Sequence, residues 1–333
     1  LVICTRIILY VSRSAAYMLF SLLLLSSAIT AQTTYYVDAG QPDNTGSGTS
    51  WATAKKDLQN AITIAVSGDA IWVKAGTYLP TEDPFGNTSP ADARDKTFYL
   101  KNGVQLYGGF AGTEVTLAQR DLALNTVTLS GDIGLPNDNT DNCYHVLLSV
   151  SDDGSAVVDG FTVMAGNANP AIQDFILVEG WEILRYFGGG LLNTNSLLTI
   201  TNCRFAGNEA IYGAGVMNYN SSVSRITNCI ISGNKASTNN GGGINNSLNS
   251  PAIITNCTIA GNSDGIVNGN ANAVITNCII HDNDTGIINS SSTPLVNYSS
   301  IQGLKYPGTN NIIGIGPLFV SSPSFITAPF TTG

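Results

Sequence analysis

The chain has 333 residues, 43% of them hydrophobic and only 11% charged, and Gly (35) and Asn (34) each supply about a tenth of it. A net charge of −9 and a scarcity of Lys and Arg exclude nucleic acid and anionic lipid as ordinary partners. Short β-branched runs exclude a disordered chain, and the abundant Gly and Asn, which tolerate left-handed backbone, imply many tight turns.

Residues 1–31 have the order of a secretory signal peptide. Arg6 and Arg13 precede the apolar run Ala15 to Leu25, and the small residues Ser26, Ser27, Ala28 and Ala31 follow. Arg13 interrupts the run before it reaches the about 20 apolar residues of a spanning helix. Cleavage after Ala31 removes two arginines and no acid, so the mature chain carries 12 − 23 = −11 and has no transmembrane span.

Residues 32–69 read as a strand (Thr33 to Val37), a polar loop and a capping helix. Asp57 is the expected N-cap, and Leu58, Ala61, Ile62 and Ala65 share one face of the helix. A cap of this kind shields the exposed end of a strand stack. Residues 70–320 read as a parallel β-helix. Its early runs (Ala70 to Val73, Lys96 to Leu100, Val104 to Tyr107, Asn125 to Leu129, His145 to Val150, Val157 to Met164) are separated by Gly, Asn and Asp. Residues 169–187 lack the repeat's Asn and Gly and read as an insertion, partly helical, carrying Trp181, Tyr186 and Phe187. Residues 321–333 read as a truncated tail.

The clearest signal lies between 188 and 311. Thr-Asn-Cys recurs at 201–203, 227–229, 255–257 and 276–278, with an apolar residue and then an Asn (Asn208, Asn234, Asn262, Asn283) at fixed distances beyond. Small-residue clusters then lead into runs ending in Asn, as in Val216-Met217-Asn218 and Ile244-Asn245. Repeats of 20 to 50 residues mark solenoids. The runs are too short to form independent hairpins, but stacked in parallel each pairs with its copy in the next coil. Asn202, Asn228, Asn256 and Asn277 then take the bend in left-handed conformation and form a side-chain ladder. Cys203, Cys229, Cys257 and Cys278 point inward as free thiols. In-register side chains lie about 4.8 Å apart, whereas a disulfide needs Cβ atoms closer to about 3.8 Å. About ten coils would span about 50 Å. The fold class is all-β, a right-handed parallel β-helix with a short N-terminal capping helix.

Several phrases together carry a resemblance. They include Tyr36-Val37-Asp38-Ala39, Gly48-Thr49-Ser50-Trp51-Ala52-Thr53-Ala54, Ile71-Trp72-Val73-Lys74-Ala75-Gly76-Thr77-Tyr78, Tyr107-Gly108-Gly109-Phe110, Ser130-Gly131-Asp132-Ile133, Asp159-Gly160-Phe161-Thr162 and Gly316-Pro317-Leu318-Phe319-Val320. On these, residues 33–320 resemble exported right-handed parallel β-helix repeat proteins of the pectin-lyase-like superfamily, especially large surface proteins of Bacteroidetes-type bacteria. Phe205-x-x-Asn208 beside Gly-Ala-Gly is similar, more weakly, to the repeats of chlamydial polymorphic outer-membrane adhesins. The resemblance implies a secreted or outer-membrane-associated protein, in which a C-terminal sorting or anchoring domain would often follow a phrase like that at Pro317.

Chemistry is sparser than shape. Asn139-Thr140-Asp141 and Asp152-Asp153 are similar to carboxylate motifs of polygalacturonase-like enzymes, but no Gly-flanked His or Arg-Ile-Lys accompanies them. His145 and His281 are the only histidines. A lyase would need a basic residue such as Arg204, Arg225 or Lys235 beside a calcium-binding acidic set. Arg204 and Arg225 could lie on neighbouring coils. The best calcium candidate is Asp132, Asp138 and Asp141 with Asn137 and Asn139, and Asp38, Asp43 and Asn44 come second; a plain polar loop is the competing reading. Trp181, Tyr186 and Phe187 could offer a sugar platform or simply pack the insertion against the solenoid.

The expectation is a monomeric scaffold for adhesion or glycan binding that requires no cofactor. Its partner would be an extracellular polysaccharide, a surface glycan, or a host or neighbour cell surface. The alternative is a polysaccharide-active enzyme of pectate-lyase or glycoside-hydrolase type acting on acidic polysaccharide.

Overall fold

The computed structural model describes residues 32–303 and 306–319; the signal-peptide expectation for 1–31 and the tail 321–333 lie outside the described residues. From Thr33 onward the chain winds through three long parallel sheets, with a short three-stranded one (Asn167–Ala168, Glu209–Ala210, Lys235–Ala236) beside them. Sheet A has nine strands, from Thr34–Val37 to Leu295–Asn297. Sheet B has nine, from Gly76–Tyr78 to Ile312–Ile313. Sheet C has seven, from Phe98–Leu100 to Ile287–Ser290. Nine rungs make eight steps of about 4.8 Å, about 38 Å in all, shorter than the sequence estimate. The early coils are long: Gln105 pairs with Val157, 52 positions on, whereas Ile253 pairs with Val274, 21 positions on. Loops therefore consume residues that would otherwise have made further rungs.

The first rung also begins earlier than expected, because Thr34–Val37 pairs residue for residue with Ala70–Val73 and is itself part of the solenoid. Helix α1 (Leu58–Ile64) closes that end. Leu58, Ala61, Ile62 and Ala65 are all buried in the common core with Val37, Ile71 and Phe98. Asp57 holds the N-cap position without capping the helix; its carboxylate accepts from Asn44 Nδ2 at 2.6 Å, and its N–H donates to Asn44 Oδ1. The side chain is spent on anchoring the preceding loop.

Alternation fills the core. Leu198, Ile200, Cys203 and Phe205 are buried, and Ile226, Cys229 and Ile231 repeat them on the next rung. Between sheets A and B a single residue makes the bend. Asn202, Asn228, Asn256 and Asn277 all have φ between 51° and 57°. Their amides link at 3.4, 3.2 and 2.6 Å along the surface. Left-handed backbone at the bend turns the next N–H along the axis, where no strand partner exists, and the thiols answer that need. Cys229 Sγ accepts from Cys203 N–H at 3.4 Å, Cys257 from Cys229 at 3.5 Å, and Cys278 from Cys257 at 3.4 Å. Ser299 Oγ completes the series for Cys278 at 3.1 Å. All five described cysteines are free.

Two further ladders are buried except at Asn289, the exposed end of the second. Asn208, Asn234, Asn262 and Asn283 join amide to amide at 2.9–3.0 Å. Asn193, Asn218, Asn246, Asn268 and Asn289 do so at 2.8–3.1 Å. Register places Asn245 opposite Met217 and Asn246 opposite Asn218, correcting by one residue the equivalence suggested by the Asn-terminated runs.

Residues 169–187 contain no helix. Phe175–Val178 and Trp181–Leu184 form an antiparallel hairpin closed by Glu179 (φ 51°) and Gly180 (φ 82°), a two-residue turn whose twist matches its strands. β-Branched and aromatic side chains favour this form. The hairpin lays Val178, Ile183 and Leu184 over the outward column Leu148, Leu192 and Met217 of sheet C, burying both faces of that sheet locally.

Candidate functional site

The outward face of sheet B carries one cross-strand column: Thr77, Thr128, Thr162, Arg204 and Ile230. Their alternates Tyr78, Leu129, Val163, Phe205 and Ile231 fill the core, so the period of two fixes the outward set. A groove of about 610 Å³ runs over this column, lined at the bend between sheets A and B by Leu122, Gly160, Asn202 and Asn228. Arg204 is the one charged residue in its lining, which contains no Asp, Glu or His. Arg204 Nε is shielded from solvent and has no protein acceptor.

The groove's wall is held from behind. Arg120 Nη2 pairs with Asp159 Oδ2 at 2.5 Å, with both side chains largely buried, and Asn202 Nδ2 donates to Asp159 Oδ1 at 2.8 Å. This fixes the segment bearing Leu122 against the solenoid. Sequence reasoning missed the groove because Thr77, Thr128 and Thr162 lie in coils of unequal length. Their alternation with apolar residues was the available signal.

Arg204 and Arg225 do not stand side by side. Arg204 belongs to sheet B, opposite Thr162 and Ile230, and Arg225 to sheet A, opposite Thr199 and Ile253. The Asn bend between the two sheets separates their columns. Lys235 lies exposed beyond sheet B, paired through its backbone with Glu209.

The three candidate calcium carboxylates each hold their own loop. Asp132 Oδ2 accepts from Asn137 N–H at 3.1 Å, and Asp141 Oδ2 from Leu135 N–H at 2.7 Å. Asp138 Oδ1 accepts from Thr140 Oγ1 and N–H at 2.7 and 3.0 Å, which holds its carboxyl below the usual range. Asn137 takes φ 67°, and Asn139 O accepts from Asn167 Nδ2 at 2.6 Å. Among the described residues no three His, Cys, Asp or Glu side chains converge as a metal site. The second candidate set is likewise dispersed: Asp38 pairs with Lys74, Asp43 with Thr45, and Asn44 with Asp57.

Nor do the three aromatics form one plane. Phe187 is buried and meets Tyr186, Tyr212 and Tyr219 edge to face, with centroids 4.8–5.0 Å apart. Trp181 sits at the hairpin turn opposite Val178. Tyr186 and Phe187 serve each other in packing, and Trp181 packs half-buried against the same apolar cluster. Beside them Arg185 clamps the insertion, donating to both oxygens of Asp95 at 2.8 and 2.6 Å and to Asp174 at 2.5 Å.

The remaining titratable candidates are structural. Asp152 accepts from the N–H groups of Gly103, Gly154 and Ala156, and burial raises its pKa; Asp153 binds Ser155. Burial pushes His145 down to about 4, with Nδ1 at 3.1 Å from Gly188 O. His281 Nε2 lies 3.0 Å from Ser300 Oγ, and burial lowers its pKa as well.

Residues 199–314, about a third of the chain, match a family model described as "Right handed beta helix region". No curated protein sequence matches the chain. Among solved structures, pectate lyase Pel9A is 15% identical over 86% of this chain and 68% of its own, with a TM-score of 0.53. A rhamnogalacturonan lyase is 15% identical over 83% and 70%, with a TM-score of 0.48. A pectin methylesterase from Aspergillus niger is 15% identical over 86% and 87%, with a TM-score of 0.40. At these identities the likeness is one of fold. The chain is a right-handed parallel β-helix, a fold it shares with pectate lyase Pel9A. No helix among the described residues is long and apolar enough to cross a membrane.

Proposed function

We propose that this β-helix is a secreted or cell-surface scaffold that binds glycan chains, in adhesion or capture, along the groove of sheet B. The observation that carries the reading is the lining itself: outward hydroxyls of Thr77, Thr128 and Thr162, the amides of Asn202 and Asn228, and the one arginine, Arg204. Hydroxyls and amides spaced one rung apart suit a polyhydroxylated chain lying across the strands. The lining supplies no carboxylate or imidazole for acid–base work, so the reading is one of binding, and it asks for no metal or cofactor. Its partners would be an extracellular polysaccharide or surface glycan, or a host or neighbour cell surface bearing one, engaged by a monomer.

The test is a panel of neutral and acidic polysaccharides and a glycan array, run with wild type, Thr162→Val and Arg204→Gln. Binding by wild type that weakens about tenfold in Arg204→Gln supports the reading, since a hydrogen bond to a charged group is worth about 1.5–3 kcal/mol. Turnover of the same polymers, seen as new reducing ends or as the ultraviolet absorbance of an unsaturated uronate, would replace it with the enzymatic alternative. A blank panel would leave a structural spacer.

A further inference from the structure

A second, smaller cavity lies at the capped end of the solenoid, between helix α1 and the segment that follows the first strand of sheet B. Its volume is about 250 Å³, and Gln59, Glu82, Asp83, Phe85, Tyr99 and Lys101 line it. Gln59 is unusual for a helix residue on the core side. It is 5% exposed, yet its Oε1 is shielded from solvent and has no hydrogen-bond partner. A buried amide oxygen left without a donor is costly and asks for an explanation. Phe85, in contrast, is 59% exposed at the same cavity, a large apolar ring left in solvent.

The other lining groups divide into committed and free. Asp83 is spent on its own turn, accepting from the N–H groups of Phe85 and Asn87 at 2.9 and 2.8 Å. Lys101 Nζ donates to Thr63 O and Ala65 O at the end of helix α1, and Tyr99 donates to Glu179. The carboxylate of Glu82 makes no hydrogen bond or ion pair within the described residues. The cavity thus offers one open acceptor, Glu82, next to an exposed aromatic ring, and beside it Gln59, whose Oε1 a ligand would reach by turning the amide toward the cavity. Charge narrows the occupant. Glu82 and Asp83 disfavour an anion, and the ammonium of Lys101 on the same wall disfavours a cation. The size falls below the about 300–1,000 Å³ of drug-sized sites, so the occupant is a single ring.

We infer that this cavity binds one neutral pyranose unit, its apolar face on Phe85 and its hydroxyls donating to Glu82 and, with the Gln59 amide turned toward the cavity, to Gln59 Oε1. The site is separate from the groove of sheet B and stands on its own residues. It would hold a chain end or a branch sugar, giving the scaffold a second point of attachment.

The test uses the full chain and the methyl glycosides of glucose, galactose, mannose and xylose, with glucosamine and glucuronate as charged controls, followed by saturation-transfer NMR and calorimetry. At least one neutral glycoside should bind with a Kd on the order of a millimolar. Phe85→Ala and Glu82→Gln, both on the solvent side, should weaken it at least about tenfold with unchanged melting curves, and Gln59→Leu should do the same where it folds. Thr162→Val in the groove should leave monosaccharide binding intact, which separates failure here from failure of the groove. The inference is overturned if no neutral glycoside binds, if either charged sugar binds more tightly, or if Phe85→Ala and Glu82→Gln bind like wild type.

Discussion

Cys229 Sγ accepts the backbone N–H of Cys203 at 3.4 Å, across the step from one rung to the next. The thiol is therefore an acceptor for a donor that the bend leaves over, as well as a packing group. Ser299 does the same for Cys278. Serines do it at the bend between sheets C and A, where Ser222 Oγ accepts from Ser196 N–H at 3.1 Å and Ser250 Oγ from Ser222 N–H at 3.0 Å. Cys229→Ser should thus be tolerated, whereas Cys229→Val, closer in apolar character, leaves the Cys203 N–H buried and unpaired. Urea melts should place the valine variant about 1–3 kcal/mol below the serine variant. Equal midpoints would reduce the column to packing alone.

The thiols should also be silent in the native state. Burial pushes Cys143 and Cys203 up to about 12, and both side chains are buried. A disulfide-exchange reagent at pH 8 should find almost no reactive thiol in native protein and all of them after unfolding. Fewer thiols in the unfolded chain would mean that disulfides had formed.

The buried and exposed asparagines should separate sharply on mutation. Asn234 is fully buried, and its amide serves Phe205 O, Asn208 and Asn262 together. Asn228 stands at the surface and mainly supplies left-handed backbone. Asn228→Gly should cost a few tenths of a kcal/mol and Asn234→Leu several, because each buried group left unpaired costs about 1–3 kcal/mol. Thermal melts of the two variants check this.

His145 gives a pH dependence with a definite sign. Its folded pKa of about 4 lies below the ordinary 6.5, so between those values the unfolded chain binds more protons. The stability it confers is complete above about pH 6.5 and is lost as pH falls toward 4, by about 3 kcal/mol in total. Melting temperature should fall through this window and should fall less in His145→Gln.

Arg185 is the hinge pin of the insertion. Arg185→Gln leaves Asp95 largely buried without its partner, a defect worth about 3–5 kcal/mol when a buried pair is broken. Limited proteolysis should cut within 169–187 in the variant under conditions where the rest of the solenoid survives.

The solenoid was legible because its physics is local and repeated. One left-handed Asn, one inward Cys and alternate apolar residues recur in each late coil, and register follows. The early coils were harder to read. Where Gln105 must reach Val157, the intervening loops hide the period, so the alternation of Thr77, Thr128 and Thr162 with apolar residues marks each as outward without placing the three in one column. The insertion misled for a different reason: its strands answer to the outer face of sheet C, not to the repeat, and the Glu179-Gly180 turn was the overlooked cue. The cavity at Gln59 depends on a contact between a helix and a distant loop, which no spacing encodes.

The surface ladder has a direction, and one residue sets it. Asp159 as a carboxylate can only accept, so Asn202 must turn its Nδ2 toward it and its Oδ1 away. Asn228 then has to present Nδ2 to Asn202, Asn256 to Asn228, and Asn277 to Asn256. Four amide dipoles are thereby aligned head to tail, with their positive ends toward a carboxylate that Arg120 neutralises from the other side. The bend between sheets A and B is thus a polarised filament, and its terminus lies behind the wall of the groove.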